Sequence, residues 1–219
     1  EIEFLNGIIG QEAILERYGT PLTTQSAGAK VLWIKNNEPE VYAKTAKFVT
    51  SSTYLVAKLT GNYPIDRYTA ATWVPLYNVD EEDWEENLWG ICRRDQLAEC
   101  RWTNEIAGEV HAQAARETGL AVGTKVTTGT ADASAEALSA GVMSPGDMMI
   151  MYGSSIFIIH VVEKLVKDKR LWAGPYMFKG TYSLAAGMSC SGTLIRWFRD
   201  NFAQDIVQKA QAEGLNPYA

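Results

Sequence analysis

Between Lys125 and Gly141 the chain changes its backbone preference within a few residues. Lys125-Val126-Thr127-Thr128-Gly129 is β-branched up to its glycine, whereas Ala131 to Gly141 is built mostly of small residues that suit a helix. β-Branched side chains pack well on a pleated surface, and unbranched small ones lose little freedom in a helix. A strand that runs through glycine into a helix is a unit of an α/β protein. The pattern continues downstream, with two apolar strands predicted over Met148–Val162 around Gly153-Ser154-Ser155, another over Thr181–Leu184, and a helix over Gly192–Phe202. Strands alternating with helices predict an α/β fold with a largely layered sheet.

The first half is more helical. A helix is predicted over Glu3–Tyr18, with Leu5, Ile8, Ile9 and Leu15 on one face, broken at Gly19-Thr20-Pro21. Ser26 can cap a second helix through Val31, Leu32, Ile34 and Lys35, which ends near Pro39. A short helix follows at Val41–Ala46, then a strand at Phe48–Ser51 feeding a helix at Ser52–Leu59 closed by Gly61, then an extended Tyr63–Asp66. The acidic run Asp80-Glu81-Glu82-Asp83 reads as a helix N-terminus rather than a cation site, because carboxylates suit the free N–H groups there. Ala107–Gly119 reads as an amphipathic helix, and a boundary between two subdomains falls near Gly146.

Several function classes drop out. A net charge of −6 with no dense Lys/Arg cluster excludes a nucleic-acid binder. Three cysteines without a CxxC pair, Cys92, Cys100 and Cys190, argue against a disulfide framework or zinc site and fit a reducing cytoplasm. Glu1–Gln11 has no basic segment of a signal peptide, and Met148–Val162 is too short and too polar at its centre for a membrane span. A P-loop is absent. Glu1 is not an initiator Met, and the end follows a helix-like segment without a closing element, so a fragment is expected.

Three stretches could carry chemistry. In Thr127 to Glu136 an acid, Asp132, stands at the mouth of a helix after a glycine-containing strand. Ligands of open α/β sheets bind at the carboxyl ends of strands, yet Asp is also a favoured helix cap, and spacing leaves both readings open. Tyr152-Gly153-Ser154-Ser155 is a plain hairpin turn or a turn that aims N–H groups at phosphate oxygens. Ala185 to Gly192 leads into a helix, suiting anion approach, and its Gly187-x-Ser189-x-Ser191 nearly matches a hydrolase nucleophile elbow. With His111 and His160 both better read as structural, an α/β hydrolase using Ser189 is the alternative enzyme class, and a non-catalytic binding remnant a third. Seven tryptophans are many for 219 residues, and none stands out as a ligand platform.

Taken in order, these segments resemble the FGGY carbohydrate kinases, most closely the xylulokinase-like branch. Gln25 to Glu40, with its Lys30-x-x-Trp33 core, is similar to the first family signature, departing from it at Ala27. Tyr54 to Gly61, followed by Asp66 and Ala70-Ala71, resembles a second block, and Gly119-Leu120 through Gly129-Thr130-Ala131-Asp132 a third. The resemblance implies a ribonuclease H-like (actin/hexokinase-type) fold, with residues 1–145 as the second part of the N-terminal sugar-binding domain and 146–219 as the first part of the C-terminal ATP-binding domain. It implies transfer of the ATP γ-phosphoryl group to a sugar such as xylulose, with Mg²⁺, in the cytoplasm. No nucleic acid or membrane partner is expected, and relatives often form homodimers. Asp132 takes the position of the catalytic base. Gly153, Ser154 and Ser155 match the phosphate hairpin, and Gly192 and Arg196 match ATP contacts, Arg196 standing where some relatives have Gln. The Asp-x-Gly-Thr phosphate loop and the second signature have no counterpart in this sequence, so the chain alone is expected to be inactive.

Overall fold

The computed structural model describes residues 1–216 and 218. The predicted first helix is two, α1 (Ile2–Ile9) and α2 (Gln11–Tyr18), divided at Gly10. Gly10 has φ 92°, a conformation that side-chain-bearing residues rarely adopt, and the turn lets Leu5 and Ile14 enter one core while Ile8 stays exposed. Helix α3 (Ala27–Asn37) starts after Ser26, whose hydroxyl accepts from the Thr23 N–H rather than from the helix. Helix α4 (Pro39–Lys44) follows. No strand forms at Phe48–Ser51, since Thr50 instead caps α5 (Ser51–Thr60) by accepting from the Thr53 N–H. Gly61 closes α5 as expected.

Strand β1 (Pro64–Asp66) runs directly into the short helix α6 (Arg67–Ala70). The acidic run is not a helix start. It is the turn of a small hairpin, β2 (Tyr77–Asn78) and β3 (Asp83–Trp84), in which the Asn78 side-chain oxygen accepts from the Asp80 and Glu81 N–H groups. Strand β4 (Glu99–Arg101) pairs parallel with β1. The amphipathic stretch at Ala107–Gly119 also divides, into β5 (Ile106–Glu109) and α7 (Ala112–Thr118), and β5 pairs antiparallel with β6 (Lys125–Thr127). His111 caps α7, its Nδ1 accepting from the Ala114 N–H, which gives it the structural role expected.

Helix α8 (Asp132–Ser139) leads to a four-stranded antiparallel sheet of β7 (Met148–Tyr152), β8 (Ile156–Val162), β9 (Trp172–Pro175) and β10 (Tyr182–Met188), ordered β7-β8-β10-β9. The chain closes with α9 (Gly192–Phe202) and α10 (Gln204–Glu213). One core gathers Leu5, Ile14, Tyr18, Leu76, Tyr77 and Ile91 with Trp73 and Trp84, which meet edge to face at 5.7 Å. A second gathers Ile159, Val161, Tyr176, Met177 and Ala185, together with Ala137 and Val142 from α8 and the turn after it. Helix α8 therefore rests on the four-stranded sheet, which brings its first turn close to β9 and β10.

Candidate active site

Asp132 is the first residue of α8, and Ala131 takes the capping position without a side-chain bond. Its carboxylate is exposed and, among the described residues, accepts from the Ala133 N–H alone, at 2.9 Å. Asp132 thus stands one position inside the capping site, yet its carboxylate accepts from the second N–H of α8, so the two readings of this acid remain compatible. Asp132 borders a cavity of about 400 Å³ between the α2–α3 turn, α6 and strands β8, β9 and β10 of the sheet. Thr20, Tyr68, Trp172, Gly174 and Ser183 also line it. Trp172 is the one tryptophan on this cavity. It stacks on Phe157 with ring centres 6.0 Å apart, whereas Trp73, Trp84 and Trp102 are buried. Burial also raises the Tyr68 hydroxyl above its usual range, helped by the nearby Tyr176, Asp66 and Asp132, so Tyr68 is a neutral hydrogen-bonding group at the wall.

The turn between β7 and β8 sits on the start of α9. The Gly192 N–H donates to the Gly153 carbonyl at 3.0 Å and the Ser191 N–H to the Ser154 carbonyl at 2.9 Å. A Cβ on Gly192 would lie 2.6 Å from the Gly153 oxygen, so only glycine permits this approach. Three of the candidate residues, Gly153, Ser154 and Gly192, are therefore in direct contact, and Arg196 lies one turn further along α9. The Gly153 N–H is held by the Ser155 carbonyl. Among the described residues the Ser154 and Ser155 amides have no acceptor, which leaves them as the donors this turn can offer an anion.

Ser189 does follow a strand directly, because β10 extends to Met188, past the predicted end at Leu184. The strand–turn–helix context of a nucleophile elbow is present. Its partner is not: His160 lies within β8, opposite Leu184 and Met148, His111 caps α7, and neither bonds Ser189 among the described residues.

Sequence reasoning missed the support beneath Asp132. Asp66, at the end of β1, is 2% exposed, and its Oδ2 accepts from the Thr69 N–H at 3.1 Å and the Thr130 hydroxyl at 2.8 Å. The Thr130 oxygen lies 2.7 Å from the Ser134 hydroxyl, which donates to the Ala131 carbonyl at 3.0 Å. The available signal was an acid joining a strand to a helix. Its partner lies 64 residues away.

Burial raises the Asp66 carboxyl above the usual range, against the opposing pull of its hydrogen bonds to Thr69 and Thr130. The folded state then holds this proton more tightly than the unfolded chain. The Asp66 contribution to stability is full below about pH 4 and is lost as pH rises through the elevated folded value. Urea unfolding across pH 4 to 7 is therefore expected to show a smaller loss of stability with rising pH in Asp66→Asn than in wild type. Equal slopes would contradict this.

Residues 1–139 match the family model for the FGGY family of carbohydrate kinases, N-terminal domain. The gluconokinase of Bacillus subtilis (strain 168) is 26% identical over 219 residues, covering 99% of this chain and 42% of its own length. An autoinducer-2 kinase of Yersinia enterocolitica is 27% identical over 198 residues, 89% of this chain and 37% of its own. The crystal structure of xylulose kinase from Rhodospirillum rubrum superposes with a TM-score of 0.89 at 29% identity, covering 97% of this chain and 44% of that one. The chain thus spans less than half the length of these relatives.

Proposed function

Since the chain belongs to the FGGY family of carbohydrate kinases and has their actin/hexokinase-type fold, we propose that it forms part of a longer enzyme that transfers the ATP γ-phosphoryl group to a sugar hydroxyl, with Asp132 as the base. The observation that carries this reading is Asp132, exposed at the start of α8 and bordering a cavity. Phosphoryl transfer of this kind passes through a loose transition state, so placement and charge neutralisation dominate. Asp132 orients the sugar hydroxyl and takes its proton. The Ser154 and Ser155 amides hold phosphate oxygens, Gly192 lets the turn seat on α9, and Arg196, one turn further along α9, adds a positive charge for ATP. Trp172 offers an apolar face to the C–H side of the sugar.

ATP supplies the phosphoryl group, and the free amides of the turn fit its phosphates. Mg²⁺ fits this chain less well: among the described residues no three His, Cys, Asp or Glu side chains converge to hold a cation. No step of the reaction is therefore routed through it. The division into residues 1–145 on the sugar side and 146–219 on the ATP side belongs to the same reading, supported by the family match ending at residue 139. So does a cytoplasmic enzyme that works as a homodimer. No helix among the described residues is long and apolar enough to cross a membrane.

The relatives act on different compounds, as their names state: gluconokinase, autoinducer-2 kinase, xylulose kinase. Xylulose is the first substrate to try, on the likeness to the xylulose kinase structure. A panel of ketoses, polyols and sugar acids, given to the full-length protein with ATP, is expected to show ADP release with one class. Release that is equal with and without every sugar would contradict the reading.

A further inference from the structure

We propose that Asp66 is a positioning residue for Asp132, acting through the hydroxyl of Thr130. The inference rests on Asp132 being the base. Asp66 approaches from the far side of the loop, at the junction of β1 and α6, and takes the Thr130 proton at 2.8 Å. The Asp66 Oδ2 is the acceptor in this bond, so the single Thr130 proton points to Asp66. The single Ser134 proton is then shared between the Thr130 oxygen, 2.7 Å away, and the Ala131 carbonyl at 3.0 Å. These bonds hold residues 130 and 131 before Asp132 and residue 134 after it. Among the described residues Asp132 itself has only the neighbouring Ala133 N–H. The clamp around it therefore sets the direction in which its carboxylate leaves the helix.

An Asn at position 66 could accept from the same two donors without burying a charge, and a buried charge is costly to the fold. Where Asp66 is ionised, its carboxylate is a stronger acceptor than an amide, since charge-assisted hydrogen bonds are shorter and firmer than neutral ones. Asp66 also caps the four-residue α6 through the Thr69 N–H, which is a structural role. The two roles separate at Thr130. Replacing Thr130 by Val keeps shape and leaves the Thr69 bond alone, but removes the hydroxyl that links Asp66 to the Asp132 loop.

The test is steady-state kinetics of the full-length enzyme carrying Thr130→Val, Thr130→Ser or Asp132→Asn, with melting temperatures alongside. Thr130→Val is expected to lower kcat by about 10- to 100-fold, because a small misplacement of a reacting group is expensive, with little change in KM for ATP or sugar. Thr130→Ser, which restores the hydroxyl, is expected to recover most of that loss. Wild-type kcat in Thr130→Val while Asp132→Asn is crippled would overturn the positioning role and leave the base in place. Loss of kcat in both Thr130 variants together with a lowered melting temperature would reduce Asp66 and Thr130 to scaffold. Full activity in Asp132→Asn would remove the base, and this inference with it.

Discussion

Replacing Asp132 by Asn in the full-length enzyme is expected to lower kcat by ~10²–10⁴-fold, the usual contribution of a positioned general base. The amide keeps the volume and the Ala133 contact, at 2.9 Å in the parent residue, but cannot accept a proton at the sugar hydroxyl. KM for ATP should change little, because the turn at Gly153-Ser154-Ser155 and the start of α9 are untouched. A fall in kcat and kcat/KM by the same factor is the signature of an interaction made in the transition state. Since Asp132 is exposed and Asn can keep its bond from the Ala133 N–H, the variant should fold as wild type does, which separates lost chemistry from lost structure.

Gly192→Ala is expected to act on the other substrate. The new methyl would sit 2.6 Å from the Gly153 oxygen and 3.3 Å from its carbon, both backbone atoms that cannot swing away as a side chain would. The turn must lift from α9, giving up the 3.0 Å bond from Gly192 to Gly153 and the 2.9 Å bond from Ser191 to Ser154. Overpacking of this kind costs about 1–3 kcal/mol. If that loss falls on the phosphate turn, KM for ATP rises roughly 5- to 150-fold while KM for the sugar stays near wild type. An unchanged KM for ATP would show that the turn does not serve ATP.

The regions that read correctly from sequence are those where local preference and tertiary pairing agree. Helix α9 and the β7–β8 hairpin lie where the apolar pattern and the Gly153 turn put them. The misreadings occur where distant contacts override local preference. Ile106–Glu109 sits at the head of a helical pattern but becomes a strand because β6 offers its ladder. Ala185-Ala186-Gly187 has little strand preference of its own, yet pairs with Ile159, Ile158 and Phe157 to carry β10 up to Met188. The acidic run Asp80–Asp83 lies in a hairpin turn because Asn78 satisfies its amides before any helix can start.

Asp132 was legible as an acid after a glycine-containing strand, and the candidate turn as a glycine between apolar runs. The contact between that turn and α9 joins Gly153 to Gly192, and no local pattern announces it. The same holds for Asp66 and Thr130, which share a hydrogen bond across 64 residues. Trp172 could not be told from six other tryptophans until the fold set it against Phe157 at the cavity that Asp132 borders.

The most direct test follows the phosphoryl group itself. The full-length enzyme, incubated with γ-labelled ATP and the sugar that stimulates ADP release, is predicted to move the label onto the sugar, and the Asp132→Asn variant to lose that transfer. Label released as inorganic phosphate with none on the sugar, or equal transfer by the variant, would contradict a sugar kinase with Asp132 as its base.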